Sequence, residues 1–341
     1  MTLPRRKLGK TDMEISSVGL GSWALGGGGW AHGWGPQDDE QSIRAIEHAV
    51  ELGINWIDTA AIYGLGHSEE IVGSALKAVP QSRRPYVFTK CGLIWDESNR
   101  MADERRIFTP ETVRTEVEAS LHRLGVDIID LYQVHWPPTE DGYNVQEGWG
   151  AMASLVREGK VRAIGVSNFD IPHLEICEAV RHVDSLQPPF SVIHREAGEE
   201  LIPWCKDNET GVIVYSPMQS GLLTDRFSEE QLVQLPDEDW RHQSPDFQLP
   251  ALRANLSLRD SLRLVAADHH VSVSAIAIAW TIAWPGVTGA IVGGRSPEQI
   301  DGWIAGGSIT LTSTDIDRSR RRLNGQVLER GRFDRTPGQP D

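Results

Sequence analysis

Apolar residues follow two alternating patterns along the chain. Short apolar runs are each followed by a longer stretch in which apolar residues recur every three or four positions, as at residues 43, 46, 49 and 50. The short runs are typical of strands buried in a parallel sheet, and the longer stretches are typical of helices packed against it. The pattern predicts eight strands, at residues 18–22, 54–57, 86–89, 128–134, 161–166, 186–187, 212–214 and 288–292.

Helical stretches follow these strands, and several carry boundary signals. Gly53 ends the first helix, and Thr109 with Pro110 supplies a capping residue and a first-turn proline. The predicted helices cover residues 39–52, 68–79, 109–124, 146–158, 171–183, 199–207, 254–268, 272–283 and 297–303. Strand–helix pairs with right-handed crossovers predict an α/β fold, a closed (β/α)8 or TIM barrel, with an N-terminal β-hairpin at residues 7–8 and 14–15 and extra helices.

Two segments depart from this alternation. Residues 219–252 are rich in proline and charge, which predicts a long mobile loop within a single barrel domain at 1–309. Residues 310–341 are polar and arginine-rich, which predicts one helix to about residue 328 and then a flexible tail.

A doubly wound sheet is the structural alternative. Gly19, Gly21 and Ala24 match the dinucleotide-binding spacing G-x-G-x-x-A after a strand. That fingerprint needs a helix to begin at this point, so that the helix N-terminus meets the pyrophosphate. Four glycines at 26–29 and a tryptophan follow instead, and a helix would not tolerate them. We therefore reject the match and favour the barrel.

Composition and net charge restrict the kinds of partner and compartment that we expect for this protein. Lys and Arg number 33 against 48 Asp and Glu, and the net charge of −15 argues against nucleic acid or an anionic membrane surface as a partner. The three cysteines are scattered without metal-ligand spacing, which favours a reducing compartment. The basic N-terminus has no apolar segment behind it, and the longest apolar stretch, at 275–287, is too short to cross a bilayer. We expect a cytoplasmic protein, monomeric or homo-oligomeric, that binds no metal.

Four polar side chains lie at or just beyond the ends of three predicted strands, namely Asp58, Tyr63, Lys90 and His135. In a barrel these strand ends converge at the C-terminal mouth. A phenol, whose pKa is ordinarily near ~10, is a useful acid near neutrality only if a cation stabilises its phenolate. Lys90 is the candidate cation, Asp58 would hold it, and His135 would orient a substrate carbonyl. Singly, each residue is equally well explained by a cap, a solvated charge or a loop contact. Together they predict acid–base chemistry on a carbon-bound oxygen.

Five stretches resemble a known family. They read GINWIDTAAIYG at 53–64, TK at 89–90, DLYQVH at 130–135, GKVRAIGVSNF at 159–169 and YSPMQSGLLT at 215–224. In this order, over about residues 8–304, they resemble the aldo-keto reductase superfamily. The most similar branches are the bacterial sugar and inositol oxidoreductases and the relatives of potassium-channel β-subunits. The resemblance implies a (β/α)8 barrel that binds NADP(H), with NAD(H) as the alternative, and a small carbonyl or sugar substrate. It also implies that Tyr63 is the proton donor, assisted by Lys90, Asp58 and His135.

The same resemblance assigns the residues that hold the cofactor. It implies that the nicotinamide carboxamide is held by Ser167, Asn168 and Gln187, and that Tyr215 stacks on the ring. The pyrophosphate would lie on Ser216, Pro217, Met218, Ser220, Gly221 and Leu222, with Arg226 as a clasp. The adenosine end would be bound by Gly293, Arg295 and Gln299, with Arg295 pairing with the 2′-phosphate. Trp23 is assigned to the cofactor as well.

Part of this assignment has an alternative explanation. Ser167 and Asn168 would also suit a helix cap, and Arg226 a surface charge. At 301–303 the sequence reads Asp-Gly-Trp where many relatives have an acid and an asparagine, which leaves the choice between NADP and NAD open.

Three functions are compatible with these residues. The first is an NAD(P)(H)-dependent oxidoreductase that interconverts an aldehyde, ketone or sugar and an alcohol, with Trp30, Trp34, Trp95 and Trp136 lining a substrate pocket. Loop packing would explain these tryptophans equally well. The second is an NADP(H)-binding sensor with little turnover. The third is a hydrolytic barrel, which would need a second carboxylate beside Asp58 and would leave Gln187 unexplained.

Overall fold

The computed structural model describes residues 2–139, 144–237 and 239–320. Its strands are, in chain order, β1 (Arg5–Lys7), β2 (Glu14–Ser16), β3 (Val18–Gly21), β4 (Trp56–Asp58), β5 (Tyr86–Cys91), β6 (Leu93–Ile94), β7 (Arg105–Arg106), β8 (Ile129–Val134), β9 (Val161–Ser167), β10 (Ser185–Gln187), β11 (Gly211–Val214) and β12 (Gly289–Gly293). The strands β3, β4, β5 and β8 to β12 form a closed parallel barrel, in which β12 pairs with β3. The predicted (β/α)8 barrel is confirmed. The doubly wound alternative is excluded, because such a sheet is open.

Helices surround this barrel. They are α1 (Asp39–Glu51), α2 (His67–Ala78), α3 (Pro110–Leu124), α4 (Val145–Arg157), α5 (Ile171–Glu178), α6 (Leu201–Asp207), α7 (Glu229–Val233), α8 (Ala251–His269), α9 (Val273–Ile282), α10 (Pro297–Asp301) and α11 (Ser313–Arg320). Thr109 caps α3 as predicted, since its side chain accepts from the Thr112 N–H at 3.2 Å. The prediction for α5 is too long by five residues. That helix ends early because the Glu178 carboxylate accepts the Val183 N–H at 2.8 Å, a bond that a continuing helix would make along its own backbone.

The barrel interior is filled in layers. An apolar layer contains Trp56 of β4, Phe88 of β5 and Leu131 of β8, all fully buried. The residues two positions further along these strands point to the same side, because side chains alternate along a strand. Those residues are Asp58, Lys90 and Gln133. A polar layer therefore lies directly above an apolar one, at the end where the strands finish.

The N-terminal hairpin closes the opposite end of the barrel. β1 pairs antiparallel with β2, and Leu8, Met13 and Ile15 join the apolar interior cluster. The Trp56 indole N–H donates to the Ser16 carbonyl at 2.8 Å. A Cβ at Gly19 would come within 2.3 Å of the Trp56 ring, so only glycine leaves room for this large side chain.

The segment 219–252 has structure of its own. It contains α7 and short 3₁₀ turns, and it is anchored by an apolar cluster of Leu222, Phe227, Phe247 and Leu252. Beyond the barrel, α11 matches the start of the predicted C-terminal helix, and residues 321–341 lie outside the described part of the chain. Within the described residues no single helix is long and apolar enough to span a membrane. Only α8 and α9 taken together reach that length and composition, across a bend of 95°.

Candidate active site

Three neighbouring strands bring the predicted acid–base residues to one mouth. Asp58 is the last residue of β4, Lys90 is the last but one of β5, and His135 directly follows β8. Because β5 lies between β4 and β8, Lys90 is flanked by the other two strand ends. Tyr63 lies in the turn after β4. Barrel closure thus gathers residues that are up to 77 positions apart in the sequence, between 58 and 135.

The Lys90 ammonium is the centre of this group. Its side chain is fully buried, and Nζ donates to Asp58 Oδ1, to the Thr59 carbonyl at 2.9 Å and to the Tyr63 hydroxyl at 3.4 Å. Burial lowers the pKa of Lys90 from its ordinary value, and the charge of Asp58 opposes that shift. The ion pair therefore offsets the cost of burying the ammonium and presents a cation to the phenol.

Tyr63 and His135 differ in what they can do with a proton. Burial raises the pKa of Tyr63 well above its ordinary value, and Asp58 adds to the shift, so the phenol holds its proton near neutral pH. Burial lowers the pKa of His135 well below its ordinary value, and Lys90 and Arg106 act in the same direction. The two rings meet edge to face with centroids 5.6 Å apart. The site therefore pairs a protonated phenol with an uncharged imidazole, which can form a hydrogen bond without adding charge.

The next strands place the predicted nicotinamide residues beside this group. Ser167 ends β9, Gln187 ends β10 and Tyr215 follows β11. Asn168 has a left-handed φ of 62°. Its amide donates to the His135 carbonyl and to Ser167 Oγ, both at 3.0 Å, and accepts the Tyr215 hydroxyl at 2.8 Å. The structure brings all of these residues together on one rim.

The predicted pyrophosphate residues form a tight turn after Tyr215. Left-handed φ angles occur at Ser216 (59°), Ser220 (52°) and Gly221 (99°). The N–H groups of Gln219, Gly221 and Leu222 donate to carbonyls of the turn itself, at 2.9, 3.2 and 3.0 Å, so the turn is closed by its own backbone bonds. Pro217 and Met218 lie within this turn, Leu222 anchors it in an apolar cluster, and Arg226 is exposed beyond it.

Arg295 makes contacts that the sequence did not predict. Gly293 ends β12, and two residues later the Arg295 guanidinium donates to the Trp34 carbonyl at 3.1 Å, to Gln37 Oε1 at 2.6 Å and to the Pro36 carbonyl. Its backbone N–H donates to Gln299 Oε1 at 2.9 Å. Arg295 and Gln299 are thus in contact through the Arg295 backbone. The guanidinium, however, is engaged by the loop 34–37.

The predicted tryptophans lie around Tyr63 and one apolar cluster beside it. Trp23 stacks on Tyr63 with centroids 6.2 Å apart, and Trp34 meets the Trp23 ring edge-on at 5.3 Å. Trp30 is almost completely buried and donates to the Gly27 carbonyl at 3.2 Å, as a packing residue of its loop would. Trp95 and Trp136, like Trp23 and Tyr63, pack against the buried cluster that contains Trp30 and Leu93. The Arg106 guanidinium lies 4.4 Å from the Trp136 ring centroid.

Sequence reasoning missed several residues of this site. Trp240, from the segment 219–252, stacks on Trp23 at 6.0 Å, and the Arg241 guanidinium lies 5.0 Å from the Trp34 ring centroid. Gln133 and the Thr59 carbonyl contact the Lys90–Asp58 pair. The position of Gln133 on β8, two residues before His135, was the one available signal.

The residues present fit a nicotinamide dinucleotide. Ser167 and Gln187 are buried and Asn168 is half-buried, and their amide and hydroxyl groups suit a carboxamide. The turn at 216–221 carries two serine hydroxyls, which suit a pyrophosphate. A closed parallel barrel that carries this rim beside a buried Lys–Asp pair and a phenol has the features of a cofactor-dependent barrel oxidoreductase.

Comparison with known proteins agrees with this class. A profile described as "Aldo/keto reductase family" matches residues 17–322. Aldo-keto reductase YhdN of Bacillus subtilis (strain 168) is 38% identical over 308 residues, covering 89% of each chain. The NADH-specific methylglyoxal reductase of Escherichia coli (strain K12) is 34% identical over 333 residues, covering 95% of this chain and 98% of the relative. The solved structure of a glycerol dehydrogenase from Gluconobacter oxydans is 33% identical, covers 99% of both chains and superposes with a TM-score of 0.85. The chain belongs to the aldo/keto reductase family.

Proposed function

We propose that this protein is an NAD(P)(H)-dependent oxidoreductase that interconverts a carbonyl group, in an aldehyde, ketone or sugar, and an alcohol. The observation that carries the proposal is the contact of one buried ammonium, Lys90 Nζ, with both Asp58 and the Tyr63 hydroxyl. Family membership supports the same class of reaction, because relatives include proteins named methylglyoxal reductase and glycerol dehydrogenase.

Tyr63 acts in this proposal as the general acid of reduction and the general base of oxidation. In reduction its hydroxyl proton moves to the substrate carbonyl oxygen, and the Lys90 ammonium stabilises the phenolate that remains. In oxidation the phenolate takes the proton of the alcohol. The nicotinamide, when bound, supplies the hydride in one direction and accepts it in the other.

Asp58 and His135 prepare this proton transfer. Asp58 holds the Lys90 ammonium in place and keeps it charged in a site where burial alone would favour the neutral amine. His135 donates a hydrogen bond to the substrate oxygen. As a neutral imidazole it orients that oxygen towards Tyr63 without competing as a proton source.

The proposed cofactor site extends from the mouth along the rim. Ser167, Asn168 and Gln187 would hold the carboxamide, and the Tyr215 ring would stack on the nicotinamide. The turn at 216–222 would bind the pyrophosphate, with Arg226 over it, and Arg295 with Gln299 would bind the adenosine end. Trp23, which stacks on Tyr63, would border both the cofactor and the substrate.

The preference between NADP(H) and NAD(H) depends on Arg295. The guanidinium donates three of its five N–H groups to the loop 34–37, so pairing with a 2′-phosphate would use the remaining two. NAD(H) carries no such phosphate. We propose that both cofactors bind, and that NADP(H) alone engages the free N–H groups of the Arg295 guanidinium. The NADH-specific relative from Escherichia coli supports a role for NAD(H).

The proposed substrate is a small, oxygen-rich carbonyl compound or sugar. The indole N–H groups of Trp34 and Trp240 are buried and have no acceptor among the described residues. Buried donors ordinarily have a partner, and the hydroxyl or carbonyl oxygens of a substrate would supply one. Trp30, Trp95 and Trp136 remain candidates for the outer wall of this pocket. We also propose a cytoplasmic location, supported by Cys91, Cys177 and Cys205, which are buried free thiols.

The proposal is tested by titrating the purified protein with NADPH and with NADH and measuring the quenching of its tryptophan fluorescence. A panel of short aldehydes, ketones and sugars then tests turnover. We expect the Tyr63→Phe variant to bind cofactor like the wild type and to lose at least about a hundredfold in kcat. Full activity in that variant would remove the proton-donor assignment. Cofactor binding without turnover of any compound would favour the sensor alternative.

A further inference from the structure

Gln133 is a buried amide in the polar layer of the barrel, and the proposed mechanism gives it no role. It lies on β8 opposite Lys90 of β5, and no part of it is exposed. Its Nε2 donates to Asp58 Oδ2 at 3.3 Å, and its Oε1 accepts from Gln187 Nε2 at 3.2 Å. Gln187 Nε2 also donates to Asp58 Oδ2 at 2.9 Å. The three side chains form a closed ring of hydrogen bonds.

Asp58 sets the direction of this ring. A carboxylate that is paired with an ammonium can only accept hydrogen bonds, so each amide must turn its N–H₂ group towards it. Gln133 then presents its carbonyl oxygen to Gln187, which provides a second acceptor on the same side. Both acceptors draw on Gln187 Nε2, and Gln187 Oε1 is therefore turned away from them.

The orientation of Gln187 decides what its side chain can recognise. The amide of Asn168 is already engaged by His135, Ser167 and Tyr215, and the Ser167 hydroxyl donates to the Gln187 carbonyl at 2.8 Å. Because Asn168 Oδ1 already accepts one bond, Gln187 is the residue of this set whose amide oxygen has the most capacity left to accept an N–H group. An acceptor at this position suits the N–H₂ group of a carboxamide and does not suit a ketone.

We propose that Gln133 is a positioning residue that fixes the Gln187 amide with its oxygen towards the nicotinamide, and so selects for a carboxamide on the cofactor. This inference rests on the proposed function, because it requires that a nicotinamide dinucleotide binds at this rim. Without Gln133, Gln187 loses one of the two acceptors that hold its orientation. The amide can then turn over at a smaller cost and donate its N–H₂ group to a carbonyl oxygen instead.

The test compares binding of NADH with binding of reduced 3-acetylpyridine adenine dinucleotide, in which a methyl ketone replaces the carboxamide. Affinities are measured at equilibrium by quenching of tryptophan fluorescence, with no turnover. We expect the wild type to prefer NADH by about five- to tenfold, as for one hydrogen bond. In Gln133→Met, which keeps the length of the side chain but has no amide, we expect the preference to fall below about twofold.

A matched control lies in the same strand. Leu131→Met changes the apolar layer below and touches no polar group of the ring, so it should keep the full preference for NADH. A Gln133→Met protein that keeps that preference would overturn the proposal, and so would an equal loss in Leu131→Met. If Gln133→Met does not fold, Gln133→Asn, whose shorter amide cannot span both partners, must show the same loss.

The outcome for the wild type separates this inference from the proposed function. A wild type that binds both dinucleotides equally well would overturn the orientation of Gln187 and leave the oxidoreductase proposal standing. A wild type that binds neither of these dinucleotides, and does not bind NADPH either, would overturn both.

Discussion

The buried charges of Lys90 and Asp58 should be strongly coupled, so that neither is tolerated without the other, and a double-mutant cycle measures that coupling. Lys90→Met and Asp58→Asn each remove one charge and leave the other buried, since the two side chains are 0% and 3% exposed. Breaking a pair of this kind costs about 3–5 kcal/mol in other proteins. Gln133 and Gln187 still donate to Asp58, and the Thr59 carbonyl still accepts from Lys90, so we expect about 3 kcal/mol, the lower end of that range.

The double variant is the decisive member of the cycle. It buries no charge, so it should recover most of the loss and unfold within about 1 kcal/mol of the wild type. Free energies of unfolding come from urea titrations of the cofactor-free protein, monitored by tryptophan fluorescence. All three variants should lose turnover by at least about a hundredfold, because none of them has the Lys90–Asp58 pair intact beside Tyr63.

This design separates folding from chemistry. A stable but inactive double variant would show that the charges serve the reaction rather than the fold. Single variants whose losses simply add, with a coupling energy below about 0.5 kcal/mol, would refute the reasoning, because they would mean that the two charges do not interact in the folded protein.

Three further predictions concern other parts of the molecule. Arg295→Ala should change tryptophan emission before cofactor is added, because the loop 34–37, which carries Trp34, loses its contacts with the guanidinium. The same variant should weaken the binding of NADPH about tenfold more than the binding of NADH. Equal losses of affinity for the two cofactors would contradict the proposed phosphate contact. Gly19→Ala places a Cβ within 2.3 Å of the Trp56 ring and should destabilise by more than about 2 kcal/mol, whereas Gly150→Ala, with no atom within 4 Å of its added Cβ, should not destabilise. Burial raises the pKa of Glu116 to about 8, so its stabilising effect is complete below about pH 4.5 and is lost as the pH rises through 8. The wild type should lose about 2 kcal/mol relative to Glu116→Gln between pH 6 and 8, and parallel pH profiles would contradict this.

Local sequence patterns were enough to predict much of the fold. Hydrophobic period and capping signals are properties of neighbouring residues, so the eight strands and the start of α3 at Pro110 could be located without coordinates. The end of α5 could not be located in this way, because the Glu178 carboxylate competes with the helix for the backbone N–H of Val183, five residues further on. Side-chain competition of this kind leaves no periodic trace in the sequence.

The candidate site was likewise predictable from the sequence only in part. Asp58, Lys90 and His135 were identified because each follows an apolar run, and a barrel sends all such positions to one mouth. The partners of Arg295 were not identified from the sequence, because the guanidinium contacts the loop 34–37 near the other end of the chain. Arg295 and Gln37 are 258 positions apart. Trp240 lay in a segment with no strand or helix pattern to place it, and only folding stacks it on Trp23.

By itself, the sequence determined the barrel, the family and the chemical types gathered at its mouth, because period, residue chemistry and motif order are written along the chain. Only the tertiary structure decided the directions of the bonds. Which way the amides of Gln133 and Gln187 turn, and which carbonyls engage Arg295, depends on atoms that the closing barrel brings within about 3 Å of one another.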